Sequence, residues 1–282
     1  MIRENRQGQR YAFWLDSSGS LFSQHNRSEI PGFHARSGQF LLGFDACDYS
    51  WGSWGISTGY AYVPFTSRQQ RGHGSLNLCL LASYVEFDLG PSYLEIGFLG
   101  GASQTRNHRD IRLPDSKTTA SSSYWGGMIA PHIGAGYDWV RGNSIFEPYF
   151  SLDWLYSWDH NIRERGSPFA MHMKWDASIL RSEAGISIYQ SWIYGSWSGS
   201  IREKVAYVNR EFLNAQHLKA SLVGISPTFV MNYPLLNQSL GNWGLDALFR
   251  HKSGFFMDIC YDGEAGSGYL THQLHLTLGG YF

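Results

Sequence analysis

The sequence contains no uninterrupted run of about 18 apolar residues, so it predicts no membrane-spanning helix. Charged residues make up only 16% of the 282 residues, and the formal net charge is -1. Such a chain lacks the basic surface that binds nucleic acid, and we expect no nucleic-acid partner. Residues 1–10 are polar and have no apolar core, so they do not form a signal peptide.

Sequence motifs of catalysis and metal binding are missing as well. The spacings of nucleotide-binding loops, HExxH zinc helices and zinc ribbons do not occur. Cys47, Cys79 and Cys260 lie far apart, and an odd number leaves at least one thiol unpaired, so we interpret them as small apolar side chains. His272 and His275 are separated by a spacing that points them to opposite sides of a strand. We therefore predict no catalytic residue, no bound metal, no cofactor and no enzyme activity.

The chain is instead rich in aromatic residues, at 16%, and in glycine, with 32 residues. This composition suits strands, tight turns and interfacial aromatic girdles. The mean hydropathy of -0.28 is polar for a membrane protein. It is the value expected of a membrane barrel, because only every second residue of a strand meets lipid.

The last eleven residues, 272–282, alternate between apolar and polar positions. A strand with one apolar face that ends on an aromatic residue is typical of the closing strand of a bacterial outer-membrane barrel. We predict that its apolar side is the signal read by the barrel assembly machinery: Leu274, Leu276, Leu278 and Phe282.

The same alternation recurs along the chain and predicts about twelve strands. They begin near Arg10, Phe33, Trp51, Gly74, Ser92, Trp125, Ile145, His172, Gly195, Gln238, Gly254 and Thr271. Short connections alternate with longer polar ones, at residues 24–32, 67–73, 106–123, 159–170, 214–237 and 262–268. We predict an all-β fold, a transmembrane up-and-down antiparallel barrel over residues 10–282 with both termini periplasmic. Residues 1–9 are interpreted as the remnant of a linker.

Charged residues at the predicted inward positions are expected to line the lumen. They are Asp45, Glu95, Asp138, Asp153, Arg181, Glu183, Asp246, Arg250 and Asp258. We interpret them first as lumen polarity with internal ion pairing, because a barrel of this size has a narrow or plugged interior. The alternative is a contact surface for a polypeptide held in the pore.

Several segments resemble the β-domains of autotransporters. The segment from Gly38 to Asp45, followed by residues 52–62, is similar to the opening hairpin of that family. Residues 148–154 and the segment from Arg181 to Ile186 are similar to later strands. The sequence of residues 33–43 resembles most the polymorphic membrane proteins of chlamydiae.

The resemblance implies a twelve-stranded outer-membrane translocator that anchors and exports an N-terminal passenger, which in the chlamydial group is an adhesin. A helix before the first strand typically spans the lumen in this family. Only about nine residues precede the first predicted strand, so we expect the passenger to be absent from this chain and the chain to be a fragment. The expected partners are outer-membrane lipid, the assembly machinery and a passenger encoded upstream.

Three other functions remain open. The barrel could be a passenger-free pore, or a surface adhesin that acts through the polar connections 106–123 and 214–237. A soluble all-β protein is the last alternative. A bilayer recording separates a pore from a plugged translocator.

Overall fold

The computed structural model describes residues 10–26, 32–68, 72–114, 116–214, 217–222, 228–232 and 237–282. Its described part is all strand and turn, without an α-helix, and holds no helix with the length and apolarity to cross a membrane. The strands are β1 Tyr11–Gln24, β2 Phe33–Tyr49, β3 Gly52–Ser67, β4 Gly72–Leu89, β5 Ser92–Leu113, β6 Ser116–Tyr137, β7 Trp139–Arg141, β8 Ser144–Arg163, β9 Met171–Tyr194, β10 Trp197–Phe212, β11 His217–Leu222, β12 Thr228–Asn232, β13 Gln238–His251, β14 Phe255–Gly266 and β15 Tyr269–Tyr281.

These strands form one antiparallel sheet that closes on itself. The first strand pairs with the last along its whole length, from Ala12 opposite Tyr281 to Gln24 opposite Tyr269. β8 pairs with β9 and completes the ring. Twelve strands form the closed ring, and we call them staves. β7 continues β6 past Asp138 and counts as one stave with it, and the β11–β12 hairpin pairs with β9 outside the ring. Closure gives each strand of the ring a hydrogen-bonded neighbour on both sides, which is what a sheet in lipid requires.

The start of β1 and the C-terminal residue Phe282 lie at the same end of the barrel as the short turns. The carbonyl oxygen of Phe282 accepts hydrogen bonds from the backbone N–H groups of Arg10 and Tyr11, each at 3.2 Å. Two of the short turns are two-residue hairpins that begin with Gly142 and Gly195, at φ values of 62° and 61°. Glycine is suited to this left-handed conformation because it has no Cβ. We call this end the terminal end.

At the opposite end, the structure has more strand than the alternation predicts. Residues 106–123 were expected to be a loop, yet β5 runs to Leu113 and β6 starts at Ser116 instead of near Trp125. Residues 159–170 and 262–268 are likewise partly strand, and 214–237 contains β11 and β12. Beyond the lipid, both strand faces can be polar, so hydrophobic alternation vanishes while the hydrogen-bonded ladder continues.

The two faces of the staves differ as the alternation predicts. Outward positions are large and apolar, such as Phe13, Leu81 and Trp125, each about 60% or more exposed in the isolated chain. Inward positions are mainly polar or small, with a few large apolar side chains such as Leu41, Leu248 and Phe256. Gly43 is one of the small ones, and the indole ring of Trp14 occupies the place that a Cβ would take. The core of this protein is therefore its lumen wall.

Candidate functional site

The inward side chains form two groups, and the first is a network of ion pairs on β8, β9, β10 and β14. Its members are Asp153, Arg181, Glu183, Lys204, Arg210, Asp262 and Glu264. Arg181 lies at the centre. Its Nη2 donates to Glu183 Oε2 at 2.5 Å and to Glu264 Oε1 at 2.7 Å, and its Nη1 donates to Asp153 Oδ2 at 3.3 Å.

This network connects strands that are not neighbours in the sheet. Arg181 is on β9 and Glu264 is on β14, while β10 and β13 lie between those two strands. Arg210 of β10 also donates to Glu264, and Lys204 Nζ lies 2.8 Å from Asp262 Oδ1. The side chains therefore reach over the lumen surface and hold this wall of the barrel together.

The second group surrounds a cavity of about 400 Å³ in the half of the lumen near the terminal end. Asp45 accepts hydrogen bonds from the Trp14 indole N–H at 3.0 Å and from the Tyr84 hydroxyl at 2.7 Å. Arg202 Nη2 lies 3.2 Å from Asp246 Oδ2. The lining side chains come from eight strands around the ring: β1, β2, β4, β9, β10, β13, β14 and β15. We call this space the terminal cavity.

Two carboxylate oxygens at the terminal cavity have no hydrogen-bond partner among the described residues. They are Asp16 Oδ1 and Asp258 Oδ1, both inaccessible atoms of side chains that line the cavity. The carboxyl group of Asp258 also contacts that of Asp246. Four carboxylates line the cavity against two guanidinium groups, so its wall has an excess of acceptors and suits a guest that brings N–H groups and positive charge.

The structure brings together most of the residues predicted for the lumen. Asp45, Asp246, Arg250 and Asp258 line the terminal cavity. Asp153, Arg181 and Glu183 belong to the ion network. Glu95 lies at the edge of the network, 4.0 Å from His132 Nε2, and His132 Nδ1 is 2.7 Å from Asp153 Oδ1. Asp138 stands apart and lines a depression at the terminal end with Pro91 and Trp192.

Other members of these two groups escaped the sequence analysis. They are Trp14, Asp16, His132, Arg202, Lys204, Arg210, Asp262 and Glu264. Strand parity is the signal that could have found them. Arg202 and Lys204, for example, alternate with the outward residues Ile201 and Val205. Parity gives the face of a side chain, whereas the cross-lumen partners are set by barrel closure.

Three residues of the predicted assembly signal lie on the outward face of β15, and the fourth, Phe282, directly follows that strand. Leu274, Leu276 and Leu278 are exposed to the lipid side. The Phe282 ring stacks on that of Phe13, with centroids 5.4 Å apart, and so connects the last strand to the first. Whether the assembly machinery reads these side chains stays a prediction.

The histidines do not gather into a catalytic or metal centre in the described part of the chain. His272 contacts the Tyr261 hydroxyl at 2.7 Å, whereas His275 lies 3.6 Å from Asp16 at the terminal cavity. Within the described ranges no group of three or more His, Cys, Asp or Glu side chains could hold a metal ion. The described interior is a polar surface of ion pairs and carboxylates.

Comparison with known proteins agrees with this architecture. The family model of the autotransporter beta-domain matches residues 13–262. Comparison with curated protein sequences gives no match. The structure is similar to the translocator domain of the autotransporter NalP from Neisseria meningitidis, with a TM-score of 0.79 and 13% identity over 99% of this chain and 90% of that one.

Two further solved structures have the same fold. The β-domain of the Bordetella autotransporter BrkA gives a TM-score of 0.70 at 15% identity, over 97% of this chain and 100% of the other. The transport unit of AIDA-I from Escherichia coli gives 0.58 at 13% identity, over 100% and 93%. At these identities the structural similarity supports only the shared fold. The match to the family model is what shows membership of the family.

Proposed function

The chain belongs to the autotransporter β-domain family, and we propose on that basis that its terminal cavity holds the polypeptide that links a passenger to β1. As a member of this family it is an outer-membrane translocator barrel. The proposal concerns how this particular lumen takes part in export. The observation that supports the proposal is the composition of the terminal cavity wall.

The position and charge of the terminal cavity support this role. The first stave β1 begins at the terminal end, where the Arg10 N–H bonds to Phe282, and the cavity lies in the same half of the lumen. The segment before β1 contains Arg3 and Arg6. Guanidinium groups donate to carboxylates, and the terminal cavity is lined by four carboxylates against two guanidinium groups.

The orientation follows from the same proposal. A passenger exported through the lumen must leave from the end opposite to the short turns, so the terminal end faces the periplasm. The long strand extensions at the opposite end of the barrel, such as the β5–β6 hairpin, then lie outside the cell. The outward side chains of β15 would be read from the periplasm by the assembly machinery, and lipid would surround the apolar outer face.

Surface display of a reporter joined to the N-terminus tests the proposal. We expect protease added to intact cells to remove the reporter from the wild-type chain. The variant Asp246→Asn/Asp258→Asn should display several-fold less reporter, because the guest loses its charged partners. Asp176→Asn, an outward and exposed carboxylate, is the matched control. A reporter that stays in the periplasm on a folded wild-type barrel would refute the proposal.

A passenger-free pore and a loop adhesin are the competing functions. The ion network supports a filled lumen, so we expect silence or flicker in a planar-bilayer recording. Large steady openings would favour the pore. Host-cell binding that is lost on shortening the β5–β6 hairpin would favour the adhesin. We propose no catalytic role for the interior, whose described charged groups mostly form ion pairs.

We also propose that this barrel is of the chlamydial polymorphic membrane protein type. The support is the sequence of residues 33–43, which makes up most of β2. Sequencing the DNA upstream of Met1 tests this. A passenger with the repeated short motifs of that group is expected, and one without them would contradict the assignment.

A further inference from the structure

One charged side chain lies on the face of the barrel that meets lipid. Glu203 follows the alternation of β10 between Ile201 and Val205, and all three side chains point outward. Its cross-strand partners on the same face are Ile188 of β9 and Leu245 of β13. These four apolar neighbours are each at least 40% exposed in the isolated chain. We call Glu203 with these four residues the Glu203 patch.

The depth of Glu203 is close to the middle of the apolar band. It is six residues from Trp197, at the terminal end of β10, and four residues from Tyr207. At about 3.3 Å per residue and a tilt of about 45°, these separations correspond to about 14 Å and about 9 Å along the membrane normal. A glutamate side chain is too short to reach either interface, unlike the long stems of lysine and arginine.

Glu203 also has no partner among the residues that the structure describes. Among the described residues, no cation forms a salt bridge with it, and its neighbours Arg202 and Lys204 bind Asp246 and Asp262 inside the lumen. No other outward position of β9 from 180 to 192, or of β13 from 241 to 249, carries a charge. An ionisable group at this depth is costly in lipid and marks a contact in the membrane.

We propose that the Glu203 patch is the interface at which two copies of this chain associate in the membrane. All copies cross the membrane in the same direction, so a twofold axis along the membrane normal brings residues of equal depth together. Glu203 of one copy then meets Glu203 of the other. A protonated carboxyl group both donates and accepts, so two such groups form a reciprocal hydrogen-bonded pair that removes the need for a cation.

The surroundings of Glu203 favour a second copy over a cationic partner. Branched side chains from three adjacent strands surround Glu203, and the nearest other polar side chain on this face is Gln190, opposite Ile201 at the edge of the patch. An apolar ring with a polar centre is complementary to itself across a twofold axis. In lipid, association is driven by packing and by hydrogen bonds between polar groups. This inference rests only on the membrane position of the barrel and is independent of what the lumen holds.

The test compares Glu203→Leu, Glu203→Gln and the wild-type chain, each folded into phospholipid bilayers and counted by single-molecule photobleaching. We expect the wild type to be dimeric and the glutamine variant to remain so, because its amide also donates and accepts. The leucine variant should associate about tenfold more weakly or worse. It should stay folded on a heat-modifiability gel, since leucine suits lipid better.

Cysteine crosslinking locates the contact. A variant whose sole cysteine is Val205→Cys should form a disulfide-linked dimer on oxidation. A variant that keeps only the native Cys79, which is exposed on the outward face of β4, should not. A monomeric wild type, or a leucine variant as dimeric as the wild type, would overturn the proposal. So would crosslinking at Cys79 that equals crosslinking at position 205.

Discussion

Replacing Arg181 by methionine tests the central claim about the lumen wall. Arg181 contacts three carboxylates, of which the side chains of Glu183 and Glu264 are only 7% and 9% exposed. Methionine keeps much of the volume and removes the charge. Glu183 then retains the Tyr149 hydroxyl and Lys204 Nζ at 3.9 Å, and Glu264 retains Arg210.

The expected loss is about 3 kcal/mol of unfolding free energy. Breaking a buried ion pair by removing one partner costs about 3–5 kcal/mol, because the other charge is left uncompensated. Arg181 is itself 24% exposed to the lumen, and its carboxylates keep other donors, so the lower limit applies. Denaturant titration of the barrel in phospholipid vesicles, followed by tryptophan fluorescence, measures this free energy.

Two matched variants separate charge from general damage. Arg106→Met changes an exposed outward arginine of β5 and should shift the free energy by no more than about 0.5 kcal/mol. Adding Glu183→Gln to Arg181→Met should recover about 1 kcal/mol or more, since the uncompensated carboxylate is gone. The reasoning fails if Arg181→Met costs no more than Arg106→Met, or if the double variant is additive.

Other variants probe the closure, the packing and the rim. Deleting Phe282 removes its stacking on Phe13 and should reduce the amount of folded barrel in the outer membrane, whereas normal abundance would contradict the assembly signal. Gly43→Ala places a Cβ in the Trp14 ring and should cost about 1–3 kcal/mol, while Gly38→Ala, with open space around it, should be neutral in the same titration. Glu164→Ala removes the acceptor of two Arg109 N–H groups and of the Met171 N–H, and should speed protease cleavage near residues 164–170; an unchanged cleavage rate would mean that this contact does not hold the rim.

The period of the strands was readable from the sequence. Alternation places Leu274, Leu276 and Leu278 outward, and the structure has them exposed on that side. The predicted starts at Phe33, Ser92 and Gln238 agree with the first residues of β2, β5 and β13. This works because lipid outside and polar groups inside impose a two-residue period on every stave. It failed at residues 106–123, where water surrounds both faces.

The site was predictable in part. Charged residues at inward positions, such as Asp45 and Arg181, stand out in strands that are otherwise apolar on one face. Lys204 and Glu264 obey the same parity and were still missed, because a local pattern does not tell how far a side chain reaches across a lumen. The contact between Arg181 and Glu264 joins residues 83 positions apart.

The sequence by itself determined the class of this protein: a closed antiparallel barrel with an apolar outer face and an aromatic last residue. Local chemistry was sufficient, since each stave carries the imprint of lipid on one side. Only the tertiary structure decided which inward groups meet. Closure of β15 on β1 sets the stagger of all staves, and that stagger brings Asp16, Asp246 and Asp258 around one cavity and leaves Glu203 alone among apolar side chains in the membrane.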